Sequence, residues 1–393
     1  MSTLLGHDLL GNPVTIVEKQ EITAAEVAEI LRTMDSNPVV ALVTDNAPIP
    51  SKDQLVKTLQ GMLSLKVFSN VQPNPRTVDI DAIQDDIGDC NVVIGIGGGS
   101  VLDTAKAIAM LLSNGGRIEE YLGNTPKRKI IAPNRPLLLM PTTAGTGSEM
   151  TKVGVYTSLS WRKYTLGSPM MHARMAILDP SFLYKAPPKL VASTGADALD
   201  HALESIWNKN ATDATRNLAE AAAVEVLSFL PEVYACSSGK KPLDKAAYAS
   251  MLRASTIAGA AFSITGTAAG HALSFVLSED WHVPHGSACA FTLLDIFKVS
   301  KALPEVAASL ARISKHFHPE VIDQTKLVDA LERQITDLFE TMALPCSFKD
   351  LGVALEKKEI DSHFDRSFSD PKMLNQIPKA DKSWIYPILE SKC

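Results

Sequence analysis

Asp197 and His201 in GADALDHALES, His271 in AAGHALSF and His285 in VPHGSACA are side chains of the kinds that grip a transition metal. A helix repeats every ~3.6 residues, so the four-residue step from Asp197 to His201 stacks a carboxylate over an imidazole on one helical face. The two later histidines arrive from separate segments and complete a shell of three imidazoles and one carboxylate. Such a shell suits Fe²⁺ or Zn²⁺ and is too nitrogen-rich for Mg²⁺ or Ca²⁺, which predicts Lewis-acid catalysis through the metal. Asp200 and Glu204 on the same helix, and His282 three residues before His285, are alternative ligands; spacing alone does not choose among them. His316 and His318 are explained equally well by an exposed loop or strand end, and His7, His172 and His363 have no partner identifiable from sequence.

These residues need elements to position them, and the chain has two rhythms. The runs PVVALVTD (38–45), SLKVFSNV (64–71), NVVIGIGGGS (91–100), RPLLLMPTT (135–143) and ARMAILDP (173–180) are apolar and separated by helical stretches. Runs of that kind are expected to be buried parallel strands. After Pro187 and Pro188, alanine-rich stretches of 3.6-residue period take over, such as TRNLAEAAAVEVLSFL. The expectation is an α/β dinucleotide-binding domain with a parallel sheet over 1–185, and an all-helical metal-binding domain over 186–393. The string VVIGIGGGSVLDTAKAIAM is a strand, a glycine run and a helix start. Its backbone N–H groups and helix N-terminus form a diphosphate cradle. The turn follows the third predicted strand, so a variant dinucleotide fold is expected, with the hydroxyl-rich PTTAGTGSEMT loop beside it.

A formal net charge of −6 with mixed signs leaves no basic stripe for nucleic acid. Five cysteines without a CxxC pair favour reduced thiols and a cytoplasmic location. No run reaches the ~20 apolar residues of a membrane span, and no signal-peptide pattern opens the chain. A soluble enzyme with a small-molecule substrate is expected, with neither nucleic acid nor membrane as partner.

The strings VTD, VQPNP, GIGGGSVLDTAKAIA, PTTAGTGSEMT, ILDP, GADALDHALES, GHALS and PHG occur in an order that resembles the group III, iron-containing alcohol dehydrogenases, over roughly residues 38–290. The resemblance implies the fold shared with dehydroquinate synthase, NAD(H) as cofactor, and Fe²⁺, with Zn²⁺ or Mn²⁺ tolerated. It makes Asp197, His201, His271 and His285 the ligands. Gly97, Gly98, Gly99 and Ser100 would hold the diphosphate, with Asn74, Asp103, Thr142, Thr143 and Lys163 on the cofactor side. Asp45, at the end of PVVALVTD, falls where relatives often place an aspartate near the adenosine ribose. A carboxylate there accepts a bond from a 2′-hydroxyl and repels a 2′-phosphate, favouring NADH. Several relatives carry a second histidine four residues after the third ligand; here that residue is Phe275, so this proton relay is absent. The family also implies a homodimer or larger assembly.

The stretches HALESIWNKNA, GHALSF and PHGSACAFTL look most like the branch that reduces small aldehydes bearing a sulfonate or phosphonate. Sulfoacetaldehyde and phosphonoacetaldehyde are the expected substrates, with an uncharged short-chain aldehyde as the alternative. Lys152, Arg253 and Thr267 are candidate contacts to the anion, with Arg162 and Thr265 behind them. Two readings from other classes are a metal- and NAD-dependent lyase of the dehydroquinate synthase type and a non-catalytic dinucleotide sensor. The first would need more basic residues and a different helix motif; the second would be favoured by a lost ligand or glycine, and none is lost.

Overall fold

Each of the five apolar runs contains a strand in the computed structural model, which describes residues 3–4 and 7–393. The chain divides into two compact units, Met1–Ala186 and Pro187–Cys393. The first opens with a two-residue antiparallel pair, β1 (Thr3–Leu4) and β2 (His7–Asp8). Its main sheet holds β3 (Thr15–Glu18), β4 (Val39–Thr44), β5 (Ser64–Phe68), β6 (Val92–Gly97), β7 (Leu137–Pro141) and β10 (Met175–Leu178), all parallel, in the order β3-β10-β7-β6-β4-β5. β3, with the short sequence TIVE and exposed ends, is an edge strand that the apolar-run criterion passes over. So is the antiparallel hairpin of β8 (Val153–Thr157) and β9 (Lys163–Gly167).

The helices between strands are α1 (Ala24–Met34), α2 (Pro50–Gln60), α3 (Thr77–Asp86) and α4 (Gly99–Asn114). Thr23 and Glu26 form a reciprocal capping box at the start of α1. From β4 the chain moves outward through α2 to β5; from β6 it moves inward through α4 to β7. Right-handed crossovers therefore put α2 and α4 on opposite faces, in keeping with α1 packing on α2 and α3 on α4. The strand order reverses between β4 and β6, and the carboxyl ends of these two strands open the crevice where a doubly wound sheet receives a nucleotide.

The second unit is helical: α5 (Pro188–Ile206), α6 (Asp213–Ser237), α7 (Lys245–Thr265), α8 (Ala269–Trp281), α9 (His285–Ser300), α10 (Pro304–Phe317) and α11 (Gln324–Thr341) form its body. α5 packs against α6, α7 and α9, and α8 against α9. No single helix among the described residues is long and apolar enough to cross a membrane. The last thirty residues are ordered as short turns, including a 3₁₀ turn at Pro371–Asn375 that packs on α8, and a final helix at Lys382–Glu390.

Close approach of α5 and α9 fixes the register of the residues they carry. A Cβ on Gly286 would stand 2.0 Å from the Ser193 carbonyl oxygen, a rigid backbone atom. Gly286→Ala is therefore expected to force the helices apart and to destabilise the protein by about 1–3 kcal/mol. Urea unfolding with an unchanged m-value checks this; an unaltered midpoint would refute the packing argument.

Candidate active site

α5 carries Asp197, Asp200, His201 and Glu204, all buried. α8 supplies His271. His285 is the first residue of α9, with Pro284 as its N-cap. The Asp197 Oδ1 atom is buried and accepts no hydrogen bond. Around it stand His271 Nε2 at 3.6 Å, His285 Nε2 at 3.8 Å and His201 Nδ1 at 3.9 Å. His201 Nε2 lies 2.9 Å from His271 Nε2. Two imidazole nitrogens so close need either a shared proton or a cation that grips both. Asp197, His271, His285 and Cys289 each offer a donor atom within 4.8 Å of the others, while His201 faces Asp197 through Nδ1 and His271 through Nε2. Donor atoms bound at about 2.1 Å to one ion stand roughly 3.0–3.4 Å apart, so these side chains would close inward on an ion. The residues fit a divalent ion.

The rest of the cluster orients these donors. His271 Nδ1 donates to Glu204 Oε2 at 2.8 Å, with Asp200 Oδ2 at 3.2 Å, which leaves its Nε2 lone pair aimed at the common centre. Glu204 also accepts the Ala268 and His271 backbone N–H groups. Asp200 and Glu204, alternatives by spacing, thus stand behind His271. Burial opposes charge on Glu204, but His271 and these N–H donors outweigh it and lower its pKa. Burial, then the Glu204 carboxylate, pushes Asp200 up. Burial works against ionised Asp197 too, yet His201, His285 and His271 hold its carboxyl well below the usual range. The His201 ring stacks on Phe262, centroids 4.1 Å apart. Ser274 Oγ lies 3.4 Å from His285 Nδ1.

His282 is exposed at the left-handed C-cap of α8 and lies outside the cluster. His363 pairs with Asp280 at 2.7 Å, and His316 is in the last turn of α10. Burial, with Lys106 and Lys152 nearby, depresses His172 to about 4. The side chain of His7 lies outside the described residues. Cys289, buried on α9, has its Sγ 3.8 Å from His285 Nε2. Burial pushes that thiol up to about 12.

Phe275 lies one turn beyond His271, its ring 6.4 Å from that of His285. Over its other contact stands Lys372, Nζ 3.9 Å from the ring centroid and 3.2 and 3.4 Å from the Asp370 carboxylate. Burial lowers the Lys372 pKa. Nothing in the spacing around residue 372 signals this cation; it reaches α8 only because the Pro371–Asn375 turn folds back, with Asn375 Nδ2 donating to the Thr267 carbonyl at 2.9 Å. Of the expected anion contacts, Thr267 is thus beside that turn. Arg253 donates to Ser250 on α7, nine residues and about 13 Å of helix from Phe262. Lys152 belongs to the first unit, where its carbonyl accepts Ser168 N–H.

In that first unit, β6 runs into Gly98, the N-cap of α4, and no side chain caps the helix. Its terminal N–H groups are left for an anion. A Cβ at Gly97 would meet Val101 at 2.4 Å and one at Gly99 would meet Thr146 at 2.7 Å, so these glycines let strand, helix and loop close up. Thr143 lies beside Gly98, and Thr142 donates its backbone N–H to Gly97. Asn74 is left-handed (φ 58°), and its N–H donates to Ser100 Oγ. Asp103 is turned inward: Ser148 Oγ and Val155 N–H occupy its two carboxylate oxygens. Lys163 opens β9. Lys106, not singled out by any motif, is fully buried and donates to Ser148 Oγ, Thr151 Oγ1 and the Val153 carbonyl at 2.7–2.8 Å, pinning the loop after β7. Burial lowers it to about 8. Across the crevice, Asp45 follows β4, paired with Lys52 of α2.

The fold agrees with the relatives found. Residues 13–180 match the iron-containing alcohol dehydrogenase model and residues 191–393 the C-terminal model of the same family. The chain is 34% identical to 1-propanol dehydrogenase of Citrobacter freundii, over 87% of this chain and 89% of that one. It is 33% identical to sulfoacetaldehyde reductase of Bilophila wadsworthia over 84% of each. The crystal structure of sulfoacetaldehyde reductase from Bifidobacterium kashiwanohense with NAD⁺ superposes with a TM-score of 0.84 at 28% identity, covering 100% of this chain and 99% of that one. The chain belongs to the iron-containing alcohol dehydrogenase family.

Proposed function

We propose that this protein reduces a short-chain aldehyde to its alcohol with NADH and a divalent metal, and that the aldehyde carries a sulfonate or phosphonate. The observation that supports the first part is the gathering of Asp197, His271 and His285 donor atoms in one cluster, with His201 Nε2 2.9 Å from His271 Nε2 and Glu204 bonded to His271 Nδ1. These four residues would hold Fe²⁺, or Zn²⁺ or Mn²⁺ in its place, and the ion would supply a Lewis acid for the carbonyl. The uncapped α4 helix with Gly97, Gly98, Gly99 and Ser100 would take the diphosphate of the dinucleotide, whose nicotinamide supplies the hydride.

The chain's own side chains do the rest. Glu204 keeps the proton on His271 Nδ1, and Phe262 holds the His201 ring in plane. Phe275 carries no proton, so the product oxygen takes its proton from water or a ribose hydroxyl. For the anionic group the support is Lys372. It is a cation beside the apolar Phe275, close to the cluster, and its two bonds to Asp370 are long. An ammonium in such dry surroundings binds a tetrahedral oxyanion strongly.

Metal titration into chelated protein is expected to raise the unfolding temperature, with a stabilisation of about 2.7 kcal/mol at a hundredfold excess over Kd. His271→Ala should abolish this shift together with NADH oxidation; a full shift in that variant would sink the assignment of ligands. With sulfoacetaldehyde, phosphonoacetaldehyde, propanal and lactaldehyde compared side by side, one charged aldehyde is expected to give the highest kcat/KM. Lys372→Met should lower that value about tenfold to a hundredfold and leave propanal within about threefold. Equal or better turnover of propanal by the parent enzyme would remove the charged substrate and keep the reductase.

A further inference from the structure

Asp45 is not the bare carboxylate that its place in the sequence suggests. Its Oδ1 accepts Lys52 Nζ at 2.6 Å and the Ala47 N–H at 3.0 Å, while Lys52 Nζ also donates to the Asp45 carbonyl at 2.8 Å. The Lys52 side chain is only 1% exposed, and that of Asp45 is 23% exposed. Oδ2 accepts no hydrogen bond among the described residues and is the oxygen left to a ligand. Lys52 is the third residue of α2, after Pro50 and Ser51, so both burial and the positive end of the helix oppose its charge. One carboxylate oxygen and one carbonyl offset this, and the third N–H of the ammonium has no acceptor among the described residues.

We propose that Lys52 sets the cofactor selectivity of this chain: by neutralising Asp45 it lets the ribose site take a 2′-phosphate as well as a 2′-hydroxyl, so that NADPH binds alongside NADH. This rests on the dehydrogenase reading above, with the dinucleotide in the crevice between the carboxyl ends of β4 and β6. A 2′-hydroxyl donates to Oδ2. A 2′-phosphate meets a pair with no net charge, in place of the repulsion that an isolated carboxylate would impose. Lys52 is thus a specificity residue acting partly through Asp45.

The test is direct binding to the metal-loaded full-length protein, read as energy transfer from tryptophan to bound NADH or NADPH, with the unfolding temperature of each variant as the check on folding. The parent should bind both, with Kd for NADPH within about tenfold of that for NADH. In Lys52→Met, which keeps the apolar stem, the ratio Kd(NADPH)/Kd(NADH) should rise at least about tenfold, chiefly through NADPH. In Asp45→Ala the freed ammonium should bring the ratio below one, an arm that stands even if Lys52→Met fails to fold. An unchanged ratio in folded Lys52→Met, an Asp45→Ala protein that still prefers NADH, or a parent that binds NADH and no NADPH would each overturn the proposal. A parent that binds neither dinucleotide would overturn the dehydrogenase reading, and this inference with it.

Discussion

Three carboxylates on one face of α5, all buried, are the constraint around which the second unit is built. Asp197, Asp200 and Glu204 cannot share a dry interior as anions unless positive charge or protons come to them. His271 meets all three: Nδ1 faces Glu204 and Asp200, and Nε2 faces Asp197. To deliver that imidazole, α8 must begin where its first N–H groups fall on Glu204, and α9 must cross α5 at the one place where Gly286 clears the Ser193 carbonyl. Helix packing and metal chemistry are therefore one requirement, since the acids that need a cation also dictate where the helices lie.

The first unit solves a related problem with a different balance. Its sheet is held by apolar strands, but the loop after β7 is polar and must lie still beside the glycine turn. Lys106 supplies the rigidity from beneath, and Asp103, one turn earlier, ties the same loop to β8 through Ser148 and Val155. Between them they satisfy buried hydroxyl and carbonyl groups that would otherwise cost free energy.

Periodicity and residue type carried much of this into the sequence. The i, i+4 step from Asp197 to His201 and the five apolar runs were legible because a helix face and a doubly buried strand each impose a repeat. What stayed hidden depends on contacts far apart in the chain. β3 is a four-residue edge strand too short to show a pattern, and the β8–β9 hairpin alternates too weakly to stand out. The roles of Asp200 and Glu204 could not be sorted by spacing, because the partner that sorts them, His271, is 67 residues further on. Asp103 lies in the glycine-turn motif, yet its carboxylate faces the protein, a direction that no motif encodes.

Three buried or half-buried lysines illustrate the last point, since each is held by a nearby carboxylate and each was silent in the sequence. What separates them is how many of the three ammonium donors the protein itself uses. Lys106 has three acceptors at 2.7–2.8 Å and is saturated, which makes it a brace. Lys52 has two acceptors, both from Asp45, and Lys372 has two long bonds to Asp370. An ammonium desolvated without a full set of acceptors is a poor way to stabilise a fold, because the unmade bond costs more than the made ones return. It is economical where an anion arrives from outside to complete the set. The donor count thus marks Lys106 as part of the scaffold and sets Lys52 and Lys372 apart from it, each with fewer acceptors than donors.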